Sequence, residues 1–210
     1  MKRYFSIVAA LLLLSSPSIN AQSDAGAIFL LISPGARAGG MGEAQVAVAN
    51  DAYASYWNPA GLAFQEGSEL AVMHVNWLPS LADDMYYEFL GFRRQFPTLG
   101  TLGGHLIYLN LGEQVRMDEY AQYQGTFTSY MMAAAMSYST QLSPSSSFGM
   151  SAKLSYQHLV ELGTGSEKGK GTSTDFGFDL GYMKKGWLTP RLDMGVTMTN
   201  RHVLAAQLGS

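Results

Sequence analysis

The chain has 210 residues, of which 47% are hydrophobic and only 14% are charged, with a formal net charge of −3 and no cysteine. An ordinary soluble domain has about 25% charged residues. The absence of cysteine excludes disulfides, a cysteine-ligated zinc site and a lipoprotein anchor. Without a basic surplus, nucleic acid is not an expected partner.

The first residues have the pattern of a secretory signal peptide. Lys2 and Arg3 precede an apolar block at 4–14, and a short polar stretch ends at Ala21. A transmembrane anchor needs about 20 apolar residues, so this block is too short to be one. We therefore expect residues 1–21 to be cleaved and the mature protein to leave the cytoplasm.

The segment at 22–66 has no regular hydrophobic period. It is rich in glycine and alanine, and its aromatic and leucine residues argue against a mobile tail. Residues 44–54 are expected to form a short helix, and Pro59 fits the first turn of another. Because small residues allow close packing, we predict a compact plug inside the mouth of a barrel.

The remaining residues, 67–210, alternate between apolar and polar side chains, which is typical of β-strands. In one segment Met150 and Leu154 alternate with Ser151 and Lys153. Each segment is long enough to cross a bilayer as a tilted strand of about 9–11 residues. The seven predicted strands are 69–77, 85–96, 101–111, 126–140, 149–160, 174–183 and 191–199.

The connections between these strands alternate in length. Those at 97–100, 141–147 and 184–189 are short, whereas those at 112–125 and 161–173 are long and polar. Short turns on one side and long loops on the other are typical of outer-membrane barrels, as are aromatic residues near strand ends. We therefore predict an all-β fold, a transmembrane antiparallel β-barrel in the bacterial outer membrane. A soluble periplasmic β-sandwich also alternates and is the alternative.

Charged side chains on the polar faces are expected to line the lumen of this barrel. Opposite charges on neighbouring strands can pair across a sheet, so we interpret this set as stiffening the wall rather than selecting a ligand. The residues expected to face the lumen are Lys153, Asp175, Asp179, Arg191 and Asp193.

Two motifs lie in the segment at 22–66. The first contains Pro34, Gly35, Arg37, Gly39, Gly40, Met41 and Gly42, and the second contains Trp57, Asn58, Pro59, Ala60 and Gly61. Together they resemble the opening of the PorV/PorQ family of outer-membrane proteins, which are related to the FadL fatty acid transporters. The last four residues of the second motif, with Leu62, are shared widely across FadL-like barrels.

This resemblance implies a 14-stranded barrel with an N-terminal plug and a role in type IX secretion of Bacteroidetes-like bacteria. There, PorV-type proteins bind the C-terminal signal domain of secreted cargo and pass it to a surface attachment complex. The partners implied are outer-membrane lipid and lipopolysaccharide, secreted cargo and other secretion-system proteins. A PorQ-like protein with an unassigned role and a FadL-like channel for uptake of hydrophobic small molecules are the alternatives.

Seven strands are half of the fourteen that the resemblance implies. An open sheet edge cannot face lipid, because its backbone groups would lack hydrogen-bond partners. We therefore expect residues 67–210 to be the N-terminal half of a barrel in a longer protein, with an assembly of several chains as the alternative.

No catalytic or cofactor-binding constellation emerges from the sequence. The stretch at 165–172 resembles a phosphate-binding loop but has the wrong spacing and no following helix. The four histidines, His74, His105, His158 and His202, lack metal-ligand spacing. The protein is therefore not expected to be an enzyme or to bind a cofactor or metal.

Overall fold

The computed structural model describes residues 27–118, 120–160 and 171–199. Within these ranges, seven antiparallel strands form one sheet in chain order, each paired with its neighbours in sequence. This confirms the mainly antiparallel β architecture. The strands are β1 (Ser68–Asn76), β2 (Tyr86–Phe96), β3 (Gly100–Met117), β4 (Tyr123–Ser143), β5 (Ser146–Val160), β6 (Gly171–Lys184) and β7 (Met194–Thr199). The expected signal peptide, the stretch at 165–170 and His202 lie outside the described residues.

Strands β3 and β4 are longer than the alternation indicated, so the predicted loop at 112–125 is wrong. Most of that stretch is strand, and hydrogen bonds from the N–H of Asp118 to the carbonyl of Gln122 and from the N–H of Ala121 to the carbonyl of Asp118 join the two strand ends. The strand pattern is broken at a register shift between Asn110 and Glu113, where Gly112 adopts a φ of 76°. Such a bulge changes which residues face each side of the sheet, so the continuation of the strand does not keep the period-two pattern.

Strand β7 begins three residues later than predicted, which corrects the placement of Arg191 and Asp193. Both residues are exposed in the connection before β7 and do not lie on the polar face of a strand. The backbone N–H of Gly186 donates to Asp193 Oδ1 at 2.9 Å, and the N–H of Leu192 donates to the carbonyl of Thr189. These hydrogen bonds hold the connection as a turn that the alternation alone did not reveal.

The sheet buries polar side chains on one face and exposes apolar side chains on the other, which is the reverse of a sheet in a soluble protein. On one face, which we call the covered face, serine, glycine and charged side chains are buried beneath the N-terminal residues. On the other, the open face, large apolar side chains such as Leu106, Leu154 and Phe178 are about half exposed (51%, 49% and 57%). The predicted alternation in β5 and β6 is confirmed, with the polar residues as the buried ones.

Residues 27–65, which we call the N-terminal segment, pack on the covered face. They contain two 3₁₀ helices, Ile28–Leu31 and Pro59–Phe64, and two short α-helices, α1 (Ala36–Gly40) and α2 (Ala54–Trp57). The expected helix at 44–54 is replaced by turns. One hydrophobic cluster joins Phe29 and Leu30 to Tyr87, Phe89 and other residues of β2, β3 and β4.

Candidate functional site

Asn58 fixes the second motif to the sheet. Its side chain is fully buried, and Oδ1 accepts a hydrogen bond from the backbone N–H of Ala60 at 3.1 Å, which caps the second 3₁₀ helix. Nδ2 donates to the carbonyls of Val46 (2.9 Å) and Tyr182 (3.3 Å). One amide therefore joins the helix, the preceding turns and β6. Pro59 occupies the first helical position, as the sequence predicted.

The carbonyl of Ala60 is the next anchor. It accepts hydrogen bonds from Ser147 Oγ on β5 at 2.7 Å and Ser139 Oγ on β4 at 3.2 Å. Nearby, Gln141 Nε2 donates to the carbonyl of Ala63 at 2.9 Å. Buried polar groups need such partners to offset their lost hydration, which explains why serines line this part of the covered face.

Glycines on the covered face allow the segment to approach the strand backbones. A Cβ on Gly149 would overlap the backbone of Pro59 and Ala60, and one on Gly181 would overlap Asn58 Oδ1. Within the segment, a Cβ on Gly61 would overlap the carbonyl of Ala49. The second motif therefore packs directly against the strand backbones, at positions where the strands have glycine.

The first motif is held less tightly. Trp57 Nε1 donates to the carbonyl of Pro34 at 3.2 Å, which links the two motifs. Gly35, with a φ of 100°, lies against the ring of Tyr53 and donates its N–H to Met73 Sδ at 3.2 Å.

Arg37 and the glycines after it lie at the surface of the segment. Arg37 Nη1 donates to Asn50 Oδ1 at 2.6 Å and reaches Asp51 Oδ2 at 3.5 Å. Gly39, Gly40 and Gly42 have no heavy atom within 4 Å of an added Cβ, and Met41 is exposed. The structure therefore brings the two motifs together but leaves the end of the first one uncovered.

A buried polar cluster lies between the segment and strands β3, β5 and β6. Lys153 Nζ and Asp179 Oδ1 are 2.9 Å apart, with side chains only 9% and 4% exposed. Asp175 is also buried and accepts from Ser173 Oγ at 3.0 Å. Three of the five residues expected to face the lumen thus lie on the covered face of neighbouring strands, whereas Arg191 and Asp193 do not.

His105 and Ser55 belong to this cluster, and the sequence did not predict that they pair with each other. Ser55 Oγ and His105 Nδ1 are 3.0 Å apart, and both residues are buried. A cavity of about 10 Å³, enough for one water, is lined by Leu30, Tyr56, His105, Lys153, Asp179 and Thr199. The only sequence signal was the position of His105 on the face of β3 opposite Leu106.

The open face carries a row of aromatic rings across β2 to β5. Neighbouring ring centroids are 5.9–6.1 Å apart along the series Tyr86, Tyr108, Tyr130 and Tyr156. We call this series the aromatic row. Beside it lies the pair His74 and Glu88, with Nδ1 and Oε1 3.0 Å apart.

An apolar band follows the aromatic row on the open face. Its apolar residues are Leu70, Val72, Leu90, Phe92, Leu106, Ala134, Met136, Ala152, Leu154, Phe176 and Phe178. On β2 the same face also carries Glu88 and Arg94, one at each border of the band. Further aromatic residues, among them Phe96 and Tyr182, lie beyond it. Ten residues separate Tyr86 from Phe96, which is about 33 Å along the strand, or about 25 Å of height at a tilt of about 40°.

Other chemical features are limited in the part of the chain that the structure describes. No three side chains of histidine, aspartate or glutamate are grouped so that they could hold a metal ion there. Among the same residues, no helix has the length and apolar character needed to cross a membrane.

Comparison with protein families decides where the chain belongs. The family model for type IX secretion system protein PorV matches residues 19–187. The chain is a member of the PorV family. The match covers both motifs, the whole N-terminal segment and strands β1 to β6. No curated protein matches the chain. Membership of the PorV family places the chain in type IX secretion.

Proposed function

We propose that this PorV-family chain works in the bacterial outer membrane, as part of a β-barrel that binds secreted cargo for type IX secretion and surface attachment. The main support for an outer-membrane location is that the sheet buries charged side chains and exposes apolar ones. Its covered face buries Lys153, Asp175 and Asp179, and its open face exposes an apolar band that is bordered on β2 by Glu88 and Arg94. In water such a band would be costly, whereas lipid is its natural solvent.

The height of the band supports the same location. Outer-membrane barrels have an apolar band about 25 Å tall between two aromatic girdles. The distance between the aromatic residues Tyr86 and Phe96 matches that height, and the charged residues Glu88 and Arg94 on the same face lie next to these two borders. We propose that lipid chains contact the band and that lipopolysaccharide contacts the rim near the aromatic row.

Cargo binding is the part of the proposal that family membership supports. The covered face is filled by the N-terminal segment, through hydrogen bonds of Asn58 and Ala60 to β4, β5 and β6 and through the apolar cluster with β2 and β3. A channel for hydrophobic molecules needs an open apolar passage, whereas the N-terminal segment packs over this face in the described residues. A binding role, rather than catalysis, is therefore our proposal.

Deletion of the gene in the bacterium that encodes it tests this function. We expect proteins with C-terminal signal domains to disappear from the cell surface and medium, and to return when the intact gene is restored. Secreted proteins without such domains are the internal control. Unchanged amounts of both classes in the deletion strain would reject the proposed function.

A further inference from the structure

A groove lies in the apolar band of the open face. Its volume is about 480 Å³, which is in the range of sites that hold a small molecule. Ala152 forms its floor, because this alanine lies between the larger residues Met136 and Phe178, its register partners on β4 and β6. The surface of the groove is almost entirely apolar, although Asp179 is buried beneath it on the covered face. Water is therefore a poor occupant of the groove, and a hydrocarbon chain is a good one.

Two contacts hold the walls of this groove in place. The hydroxyl of Tyr138 donates to the carbonyl of Leu99 at 2.7 Å, which fixes the tyrosine ring beside its register partner Met150. The ring of Phe178 packs edge-to-face on that of Phe176, with ring centroids 4.8 Å apart. An occupant does not need to order these side chains, so less of its binding free energy is lost to entropy.

The groove is near the end of the sheet where short turns join the strands. Tyr138 and Met150 are a register pair of β4 and β5, close to the turn at 144–145 that connects these strands. The β3–β4 hairpin extends beyond the aromatic row at the opposite end. Short turns face the periplasm in outer-membrane barrels. The groove is therefore level with the inner leaflet of the proposed membrane, which consists of phospholipid.

Arg94 places a positive charge beside the groove. It is the register partner of Leu102, which lines the groove, so the two Cβ atoms are about 5 Å apart. The exposed guanidinium lies over the ring of Phe96, with 5.3 Å from Cζ to the ring centroid, and so points towards the short-turn border. The ion pairs among the described residues do not include Arg94. Its charge is therefore available to an anion, and phosphate suits a guanidinium well.

We propose that this groove binds an acyl chain of a phospholipid from the inner leaflet, and that Arg94 binds the phosphate of the same molecule. An apolar groove with a cation at its membrane border matches the two parts of a phospholipid. The other border of the band carries Glu88, so β2 offers a cation to a phosphate only at the inner border. The inference deepens the proposed lipid contact and rests on the proposed outer-membrane location.

Filling the floor of the groove tests the inference. Ala152→Leu adds a larger apolar side chain where the acyl chain is placed. Ala134→Leu is the matched control, because Ala134 also lies on the open face between larger residues, Leu106 and Leu154, and does not line the groove. The full-length protein and its variants are purified from outer membranes in mild detergent. Native mass spectrometry then counts the phospholipid and lipopolysaccharide molecules that each retains, and titration of the lipid-free protein with phosphatidylethanolamine gives the affinity.

We expect the parent and Ala134→Leu to retain phospholipid. Ala152→Leu should bind phosphatidylethanolamine about tenfold more weakly, because the loss of about ten carbon–carbon contacts has an effect of that size. Arg94→Gln should weaken binding about tenfold as well, and Arg94→Lys, which keeps the positive charge, should recover most of the loss.

Equal binding by Ala152→Leu and the parent would overturn the inference and leave the proposed function standing. If the parent retains lipopolysaccharide and Ala152→Leu loses it, the occupant comes from the other leaflet and the inference is wrong. It is also wrong if Ala152→Leu keeps phospholipid and loses a co-purifying membrane protein. Recovery of the parent in a soluble fraction would reject the proposed location itself. Equal heat-unfolding midpoints show that the variants are folded.

Discussion

At the scale of single residues, the family motif is explained by close packing and hydrogen bonding rather than by chemistry. Asn58 caps a helix and also reaches β6 with the same amide group, and Ala60 offers its carbonyl to two serines. Each contact requires a backbone to lie almost against another backbone. Glycine at 149 and 181 makes this approach possible.

Gly149→Ala is therefore expected to destabilise the protein by about 1–3 kcal/mol, because the added methyl group overlaps Pro59 and Ala60. The free energy of unfolding in detergent measures this effect. Gly40→Ala adds the same methyl group where no atom lies within 4 Å, and it should change stability little. Equal stability of the two variants would contradict the packing that we describe.

At the scale of elements, strands β5 and β6 are joined by a buried ion pair. A buried charge is costly unless it is paired, so loss of one partner is more harmful than loss of both. Lys153 and Asp179 form such a pair at 2.9 Å, and Asp175 lies nearby on the same strand as Asp179.

We expect Lys153→Met to lower the free energy of unfolding by about 3–5 kcal/mol, because it leaves Asp179 buried without its cation. The double variant Lys153→Met with Asp179→Leu should recover most of this loss. A double-mutant cycle of unfolding free energies measures the coupling. If the double variant loses as much unfolding free energy as the two single variants together, Lys153 and Asp179 are not coupled and the ion pair does not contribute as described.

The β3–β4 hairpin depends on a carboxylate at its tip. Asp118 accepts hydrogen bonds from the backbone N–H groups of Gln122 (2.8 Å) and Tyr120 (2.9 Å) and from Gln124 Nε2 (3.1 Å). The Gln122 hydrogen bond first, with the other two, lowers the pKa of Asp118 below the ordinary value of an aspartate. Such a group stabilises the fold above its unfolded pKa, and this contribution is lost as pH falls through the lowered pKa.

The hairpin tip should accordingly open more easily at about pH 3 than at about pH 7, because the lower pH protonates the carboxylate. Hydrogen-exchange protection factors of the amides at 113–128 measure this difference. Asp118→Asn removes the titrating group. In this variant the amides at 113–128 should be less protected at neutral pH than in the parent, and their protection should change less between the two pH values. The same pH response in parent and variant would assign the effect to another group.

At the scale of the whole molecule, the polarity of the sheet predicts different free-energy costs for a charged side chain at two exposed positions. Leu154 lies in the middle of the apolar band, and Thr128 lies on the same face beyond the aromatic row. Both are exposed in the structure. Only a lipid environment distinguishes between them.

Leu154→Arg is expected to destabilise the membrane-inserted protein by about 2–4 kcal/mol, whereas Thr128→Arg should cost about 1 kcal/mol or less. The measurements are unfolding from lipid bilayers and the amount recovered in outer-membrane fractions. If both variants behave like the parent and stay in a soluble fraction, the proposed location is wrong.

Most of the strands were predictable because alternation is a local property. The period-two pattern in β5 and β6 located the strands and separated the faces, and Pro59 at the start of a short helix followed from its fixed φ. The two motifs are likewise contiguous stretches of sequence, so they indicated the family by themselves, and the family match confirms it.

The remaining errors arose where alternation does not report the backbone conformation. The bulge at Gly112 hid the continuation of β3, and a turn held by short-range hydrogen bonds displaced Arg191 and Asp193 from the polar face. The pairing of Ser55 with His105 joins residues 50 positions apart. No local pattern contains that information.

The sequence by itself determined an all-β antiparallel chain of the PorV family, because side-chain alternation and two short motifs rich in small residues can be seen along one dimension. Only the tertiary structure decided which face is buried. Alternation is symmetric between the two faces, and a sandwich and a barrel wall share it. The N-terminal segment broke that symmetry by docking through Asn58 and Ala60 on the polar side, and this contact depends on residues that lie far apart in the chain.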